Sequence, residues 1–155
     1  MQLRPFAPAD AAETAQLIAT TLRITNSRDY SAEYIEDTIA SHDEKVLLDR
    51  AAWSHMYVAV RAGQIIGCGA ISSFWGGATE SILLTIFVLP EYQGQGVGRR
   101  IVETLEADEY FLRANRIEIS ASITAVPFYQ RMGYSYKNGV TTPDEEGCIR
   151  LEKHR

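Results

Sequence analysis

The stretch "VLPEYQGQGVGRR", residues 88–100, spaces three glycines, Gly94, Gly96 and Gly98, at alternate positions between an apolar run and a pair of arginines. Glycine relaxes the steric limits on the backbone, so alternating glycines let successive amides turn toward one point and let a ligand approach the main chain. The residues ahead of it, Ser81 to Leu89, are short, β-branched and stopped by Pro90, the pattern of a well-buried strand. Beyond it Val97, Ile101, Val102 and Leu105 recur at helical spacing, with Arg99, Arg100, Glu103 and Glu106 on the other faces. The unit is therefore strand, glycine loop, helix N-terminus. Such a terminus offers unpaired N–H groups and roughly half a positive charge, and both favour a phosphate.

Composition bounds what this site belongs to. With 155 residues, 46% of them apolar, the chain suits one domain, residues 1–155, around a single core. The net charge of −5 and the absence of any Lys/Arg cluster beyond pairs argue against a nucleic-acid partner. The N-terminal residues form no apolar leader, and no run reaches the ~20 apolar residues of a membrane span, so a cytoplasmic protein with no membrane partner is expected. Cys68 and Cys148 are far apart and at no metal spacing; no metal is expected, and a reducing compartment suits them.

The remaining elements follow from periodicity and punctuation. Leu3 to Phe6 is a candidate edge strand, and Asp10 with Glu13 forms an acidic capping-box pattern before a helix whose apolar face is Ala11, Ala15, Ile18, Ala19 and Leu22. A second helix should begin at Ser31, with Ile35, Ile39 and Val46 inward and its far end undefined. Met56 to Val60 and Ile65 to Ser73 form a hairpin about Ala62-Gly63, and Gly76-Gly77 turns the chain into the Ile82 to Leu89 strand. Arg116 to Ser122 alternates Ile117, Ile119 and Ala121 with Glu118, Ser120 and Ser122, a half-buried strand with its polar set outward. Ala125 to Met132 is a short helix closed by Gly133, and Tyr134–Lys137 with Cys148–Glu152 supplies a last strand pair.

A Walker A loop would need a Lys-Ser/Thr pair where Arg99-Arg100 follow Gly98, and a dinucleotide fingerprint would need glycine at position 99. The pattern that fits is Gln/Arg-x-x-Gly-x-Gly/Ala, here Gln93-Gly94-Gln95-Gly96-Val97-Gly98. At these residues the sequence resembles the GNAT superfamily of acyl-CoA N-acyltransferases, in which the loop carries the pyrophosphate of coenzyme A. The family's second motif, Asn-x-x-Ala-x-x-x-Tyr-x-x-x-Gly-Phe/Tyr, is matched by Ser122, Ala125, Tyr129, Gly133 and Tyr134, with serine in place of asparagine. The resemblance implies an α/β GNAT fold: a mixed, twisted sheet of about six to seven strands, helices on both faces, and two central parallel strands splayed apart. It implies acetyl-CoA as co-substrate, with Gln93 through Arg99, Ser122 and the backbone of Ile86 and Val88 as its contacts. It also implies a bulge near Phe87 and Val88 that frees an N–H for the thioester oxygen.

The chemistry implied is acetyl transfer to a primary amine of a small molecule or peptide by direct attack, a non-catalytic acyl-CoA-binding module being the other reading of the scaffold. An amine of pKa near ~10.4 must lose a proton before it attacks. Glu80, just ahead of the splayed strand, is the first candidate base and Glu118 the second. Tyr129 stands in the family's general-acid position toward the departing thiolate. Tyr30, Tyr34 and Trp75, the last in the Ser73–Thr79 loop, are the candidate acceptor contacts, and the acidic balance favours a cationic amine. His42 and His55 have no partner at metal or triad spacing and receive no role. The resemblance leaves room for a homodimer.

Overall fold

A computed structural model of the chain describes residues 1–155. Seven strands form one sheet in the order β1-β2-β3-β4-β5-β7-β6. They are β1 (Gln2–Pro5), β2 (His55–Arg61), β3 (Gln64–Ser73), β4 (Glu80–Val88), β5 (Arg116–Ser122), β6 (Ser135–Tyr136) and β7 (Cys148–His154). Every neighbouring pair is antiparallel except β4 and β5, which are parallel. The helices are α1 (Ala11–Ile24), α2 (Ala32–Ala40), α3 (Glu44–Trp53), α4 (Val97–Glu106), α5 (Glu109–Leu112) and α6 (Val126–Arg131).

The central strand β3 is buried from Ile65 through Ser72, which requires cover on both faces. One face is given to α4, whose Val97, Ile101, Val102 and Leu105 are all buried. Two glycines make that approach possible: a Cβ on Gly67 would meet Ile101 Cδ1 at 2.7 Å, and one on Gly69 would meet Ile101 Cγ2 at 2.6 Å. Strand alternation turns Cys68 and Ala70 to the other face, where α1 packs with α2 and α3 alongside. Fully burying each such Ile or Leu contributes roughly 1.5–3 kcal/mol, so the central layer carries much of the stability.

Four local expectations are corrected. Asp10 does not cap α1 with its side chain: a single 3₁₀ turn, Pro8–Asp10, precedes the helix, and the Asp10 carboxylate instead binds Arg4 at 2.7 and 2.9 Å and the Ala7 N–H. Glu13 reaches across to accept the Ile65 N–H at 2.7 Å. The helix that begins at Ser31, whose hydroxyl accepts the Tyr34 N–H, stops at Ala40; Asp43 then caps a separate α3 by accepting the Val46 N–H, so Val46 belongs to a different helix from Ile35. Glu118 is not outward in any solvated sense, since it has no exposed surface. The bulge lies at Thr85–Ile86 rather than Phe87–Val88: Ala70 pairs with Leu84 and Cys68 with Phe87, leaving two β4 residues opposite Gly69.

Candidate active site at the splayed strands

The parallel ladder joins Glu80–Leu83 to Arg116–Ile119 and then ends. Past that point Leu84–Val88 and Ser120–Ser122 diverge, and between them opens a cleft of about 640 Å³ that runs from α1 and α2 to the glycine loop and α6. Thr85 sits at the point of divergence with φ of +58°, a conformation that costs a β-branched residue on the order of 1–3 kcal/mol. Two contacts hold it there. Arg50 of α3 donates to its Oγ1 at 2.8 Å, and the buried Cys68 thiol donates to its carbonyl at 3.2 Å.

At the far end of the cleft, Gly94 and Gly96 adopt φ of +76° and +83°, and nothing lies within 4 Å of a Cβ placed on either. The backbone N–H groups from Gly94 to Arg99 donate to no group of the protein. The N-terminus of α4 has no side-chain cap and no acidic residue in its first turn. Backbone donors and helix dipole are thus directed at open space, an arrangement suited to a pyrophosphate. Arg99 and Arg131 line the same region with no carboxylate in ion-pair range. Gln93 also lines it, its amide tying the loop to Thr25 Oγ1 and the Val88 carbonyl. Gln95 and Val97 do not line the cleft: the Gln95 amide turns back to the Glu91 carbonyl and Val97 is core, so each offers the cleft only its N–H. Gly98 lets α4 approach α6, where its Cβ would meet the Phe128 ring at 3.1 Å. Ile86, Val88 and Ser122 line the walls.

Tyr129 projects from α6 to the cleft and is 5% exposed. Its hydroxyl makes no hydrogen bond within the protein, yet it is not a sealed polar atom, for the one buried side-chain polar atom without a partner is Thr14 Oγ1. Burial, with Cys68 nearby, pushes the phenol well above its ordinary range, so it stays protonated and able to donate.

Both candidate bases lie elsewhere. Glu80 begins β4, at the opposite end of the strand from the splay, and is ion-paired with Arg116. Glu118 is held by Arg116 at 2.8 Å, Lys137 at 2.9 Å and Arg150 at 3.0 Å. Burial pushes its carboxyl up, but the hydrogen bonds from Lys137 and Arg116 outweigh this and leave it below the usual carboxylate range. Neither residue lines the cleft, and no carboxylate does. Trp75 is also displaced: its loop caps the same end of β4 as Glu80, and the residue is 91% exposed to solvent. Tyr30 and Tyr34 do line the cleft, with rings stacked at 4.3 Å, but their hydroxyls donate to the carbonyls of Gly147 and Glu146 at 2.6 Å each. Those bonds fasten the β6–β7 loop beside the cleft.

Residues 52–136 match the family model described as the acetyltransferase (GNAT) domain, more than half of the chain. The chain belongs to the GNAT acetyltransferases. It is 28% identical over 134 residues to the uncharacterized N-acetyltransferase YafP of Escherichia coli K12, covering 86% of this chain and 81% of that protein. Among solved structures it is similar to a GCN5-related N-acetyltransferase from Rhodopseudomonas palustris, with TM-score 0.82, 26% identity, and 99% and 95% of the two chains covered. The PaiA N-acetyltransferase of Thermoplasma acidophilum, solved in complex with coenzyme A, shares the fold with TM-score 0.84 at 18% identity over 99% and 98% of the chains.

Within this GNAT chain the sequence reading missed Arg131, Thr85 and His42. Arg131 follows the motif tyrosine by two residues and had no spacing signal of its own. The strain at Thr85 is invisible in a β-favouring residue, because the left-handed turn is imposed by the pairing register. His42 was isolated in sequence, and only folding brings it against Phe87 of β4, ring centroids 5.7 Å apart.

Proposed function

We propose that this GNAT acetyltransferase uses acetyl-CoA to acetylate a primary amine on a small molecule or peptide, by direct attack at the splay of β4 and β5. The observation that carries this reading is one continuous cleft with unpartnered amides at one end and the unpartnered Tyr129 hydroxyl along its wall. The loop amides with Arg99 and Arg131 suit the phosphates of coenzyme A, and PaiA, of the same fold, was solved with that molecule. The unpaired edge of Leu84–Val88 suits the amides of a pantetheine arm. Tyr129 is the donor to the departing sulfur. A free thiol has a pKa near ~8.5 and a free phenol near ~10, so full proton transfer is uphill by at least roughly 2 kcal/mol, and burial of Tyr129 adds to that. Its role is hydrogen-bond stabilisation with late proton transfer. The acceptor half, between α1, α2 and the Tyr30–Tyr34 stack, carries no negative side chain, so the acceptor is held by ring faces and hydroxyls rather than by ion pairing.

Thiol release from acetyl-CoA, followed across a panel of primary amines with mass analysis of each product, tests this reading. Amine-dependent release with a product heavier by about 42 Da, an acetyl group replacing hydrogen, is the expected result. Acetyl-CoA that binds tightly but is not turned over with any amine of the panel would instead favour a non-catalytic module. Gly96→Glu places bulk and negative charge at the loop, so it should abolish the stabilisation of about 2.7 kcal/mol that acetyl-CoA at about 100 times its Kd confers.

A further inference from the structure

Acetyl transfer from an ammonium form requires a proton acceptor, and the cleft has no carboxylate to serve. It has one imidazole. His42 lies in the short connection between α2 and α3, lines the acceptor half, and packs its ring edge-on to Phe87 where β4 leaves β5. Its Nδ1 is 2.8 Å from the Thr38 carbonyl oxygen, which can only accept, so Nδ1 carries the proton. The Ser41 hydroxyl, 3.1 Å from the same nitrogen, already donates to that carbonyl at 2.7 Å and leaves the assignment unchanged. The lone pair is therefore on Nε2, which meets no protein group and is not sealed in the core.

We infer that His42 Nε2 is the general base that takes a proton from the acceptor ammonium, an assignment that rests on the acetyl-transfer reading above. The surroundings keep the ring neutral. Burial lowers its proton affinity, the Thr38 carbonyl offsets this in part, and the Arg50 cation of α3 lowers it further. The other groups packed around it, Thr38 and Ser41 of its own segment and Phe87 of β4, are uncharged, and no carboxylate comes within ion-pair range. Arg50 thereby has two tasks at one place, holding the strained Thr85 by its hydroxyl and keeping His42 unprotonated near neutral pH.

The proton balance closes with these groups. The acceptor enters as R–NH₃⁺ and gives one proton to Nε2. The amine nitrogen then bonds to the thioester carbonyl carbon, whose π electrons move to oxygen. As the oxygen's electron pair re-forms the carbonyl and the C–S bond breaks, the sulfur takes the Tyr129 proton, and the second nitrogen proton passes through water to the Tyr129 oxygen, restoring the phenol. His42 returns its own proton to water, giving amide, thiol and one released proton.

The test uses full-length protein and the fastest acceptor from a panel of n-butylamine, phenethylamine, spermidine and a lysine peptide. For the wild type, kcat/KM should level off from just above the depressed His42 pKa and stay flat toward the amine's own pKa near ~10.4. His42→Gln should lose about 10²-fold or more in kcat at pH 7 and show instead a unit-slope rise with pH, as turnover comes to depend on free amine. Its acetyl-CoA-induced rise in Tm should match the wild type, showing a folded protein with an intact loop. Nitrogen-15 spectroscopy of the imidazoles supplies a readout independent of turnover: the resonance removed in His42→Gln should be a neutral, Nδ1-protonated ring at pH 7. Wild-type rate and profile in His42→Gln, or an Nε2-protonated ring, would overturn the assignment while leaving the transferase reading intact. A wild type that binds acetyl-CoA and acetylates none of the amines would overturn both.

Discussion

The two ends of the β4–β5 pair have opposite electrostatics. At the start of the strands Glu80, Glu118 and Glu152 surround Arg116, and Lys137 and Arg150 complete the set. At the other end, where the strands part, the cleft is lined by amides, hydroxyls, aromatic rings, an imidazole and arginines, with no carboxylate. The first end fastens two parallel strands that share only a short ladder, and the second must stay open. Concentrating ion pairs at one end allows the strands to splay at the other without losing their alignment. Glu80 and Glu118 thus stand in the fastening, outside the cleft.

This contrast can be broken from either end. The largest effect is expected from Glu118→Ala, which leaves Lys137, Arg150 and part of Arg116 uncompensated around a site with no solvent access; loss of one partner of a buried ion group costs about 3–5 kcal/mol. The lower end applies because Lys137 and Arg150 are themselves partly exposed, and urea unfolding of the variant measures it. At the open end Tyr129→Phe removes only a hydroxyl that meets no protein group, so stability and acetyl-CoA affinity should hold while kcat falls about 10²-fold in a steady-state assay.

Acid titration sharpens the comparison. The folded-state pKa of Glu118 lies below its ordinary value of 4.5, so its contribution is complete above that value and is lost as pH falls through the folded pKa. Urea midpoints should decline below about pH 4.5, and the decline should be shallower in Glu118→Gln, with Asp10, Glu36, Asp108 and Asp144, which are lowered too, contributing to the remainder. The smallest effect belongs to Glu80→Gln. Its carboxylate side chain is 41% exposed, so the change should cost less than about 1 kcal/mol and leave kcat at pH 7 within about twofold. A large rate loss in that variant would restore Glu80 to the chemistry and break the division between the two ends.

Much of this was legible in the chain. The strand, the glycine loop and α4 lie within consecutive residues, and their signals are local: β-branching, alternate glycines, an apolar stripe at helical spacing. The Ser122–Gly133 stretch was readable for the same reason, since one strand end and one short helix carry Tyr129 to the cleft. The misreadings share a different cause. Alternation correctly assigned Glu118 to the face opposite Ile117 and Ile119, but that face is covered by Lys137 and Arg150 from distant segments, which no periodicity reveals. Asp10 and Glu13 had the spacing of a capping box, and tertiary partners, Arg4 and the Ile65 N–H, bound them instead.

The sequence by itself determined the order of the elements, the glycine loop at the start of α4 and the short helix that carries Tyr129, because each depends on residues close along the chain. The tertiary structure alone decided where the ladder ends and the cleft opens, that Thr85 is left-handed at the bulge where Arg50 and Cys68 hold it, and that His42 rather than a glutamate lines the cleft. Those outcomes depend on register and on contacts between α2, α3 and β4. Burial and ion pairing are properties of the assembled surroundings of a side chain, and they hold Glu80 and Glu118 among cations while lowering the proton affinity of His42 in the cleft wall.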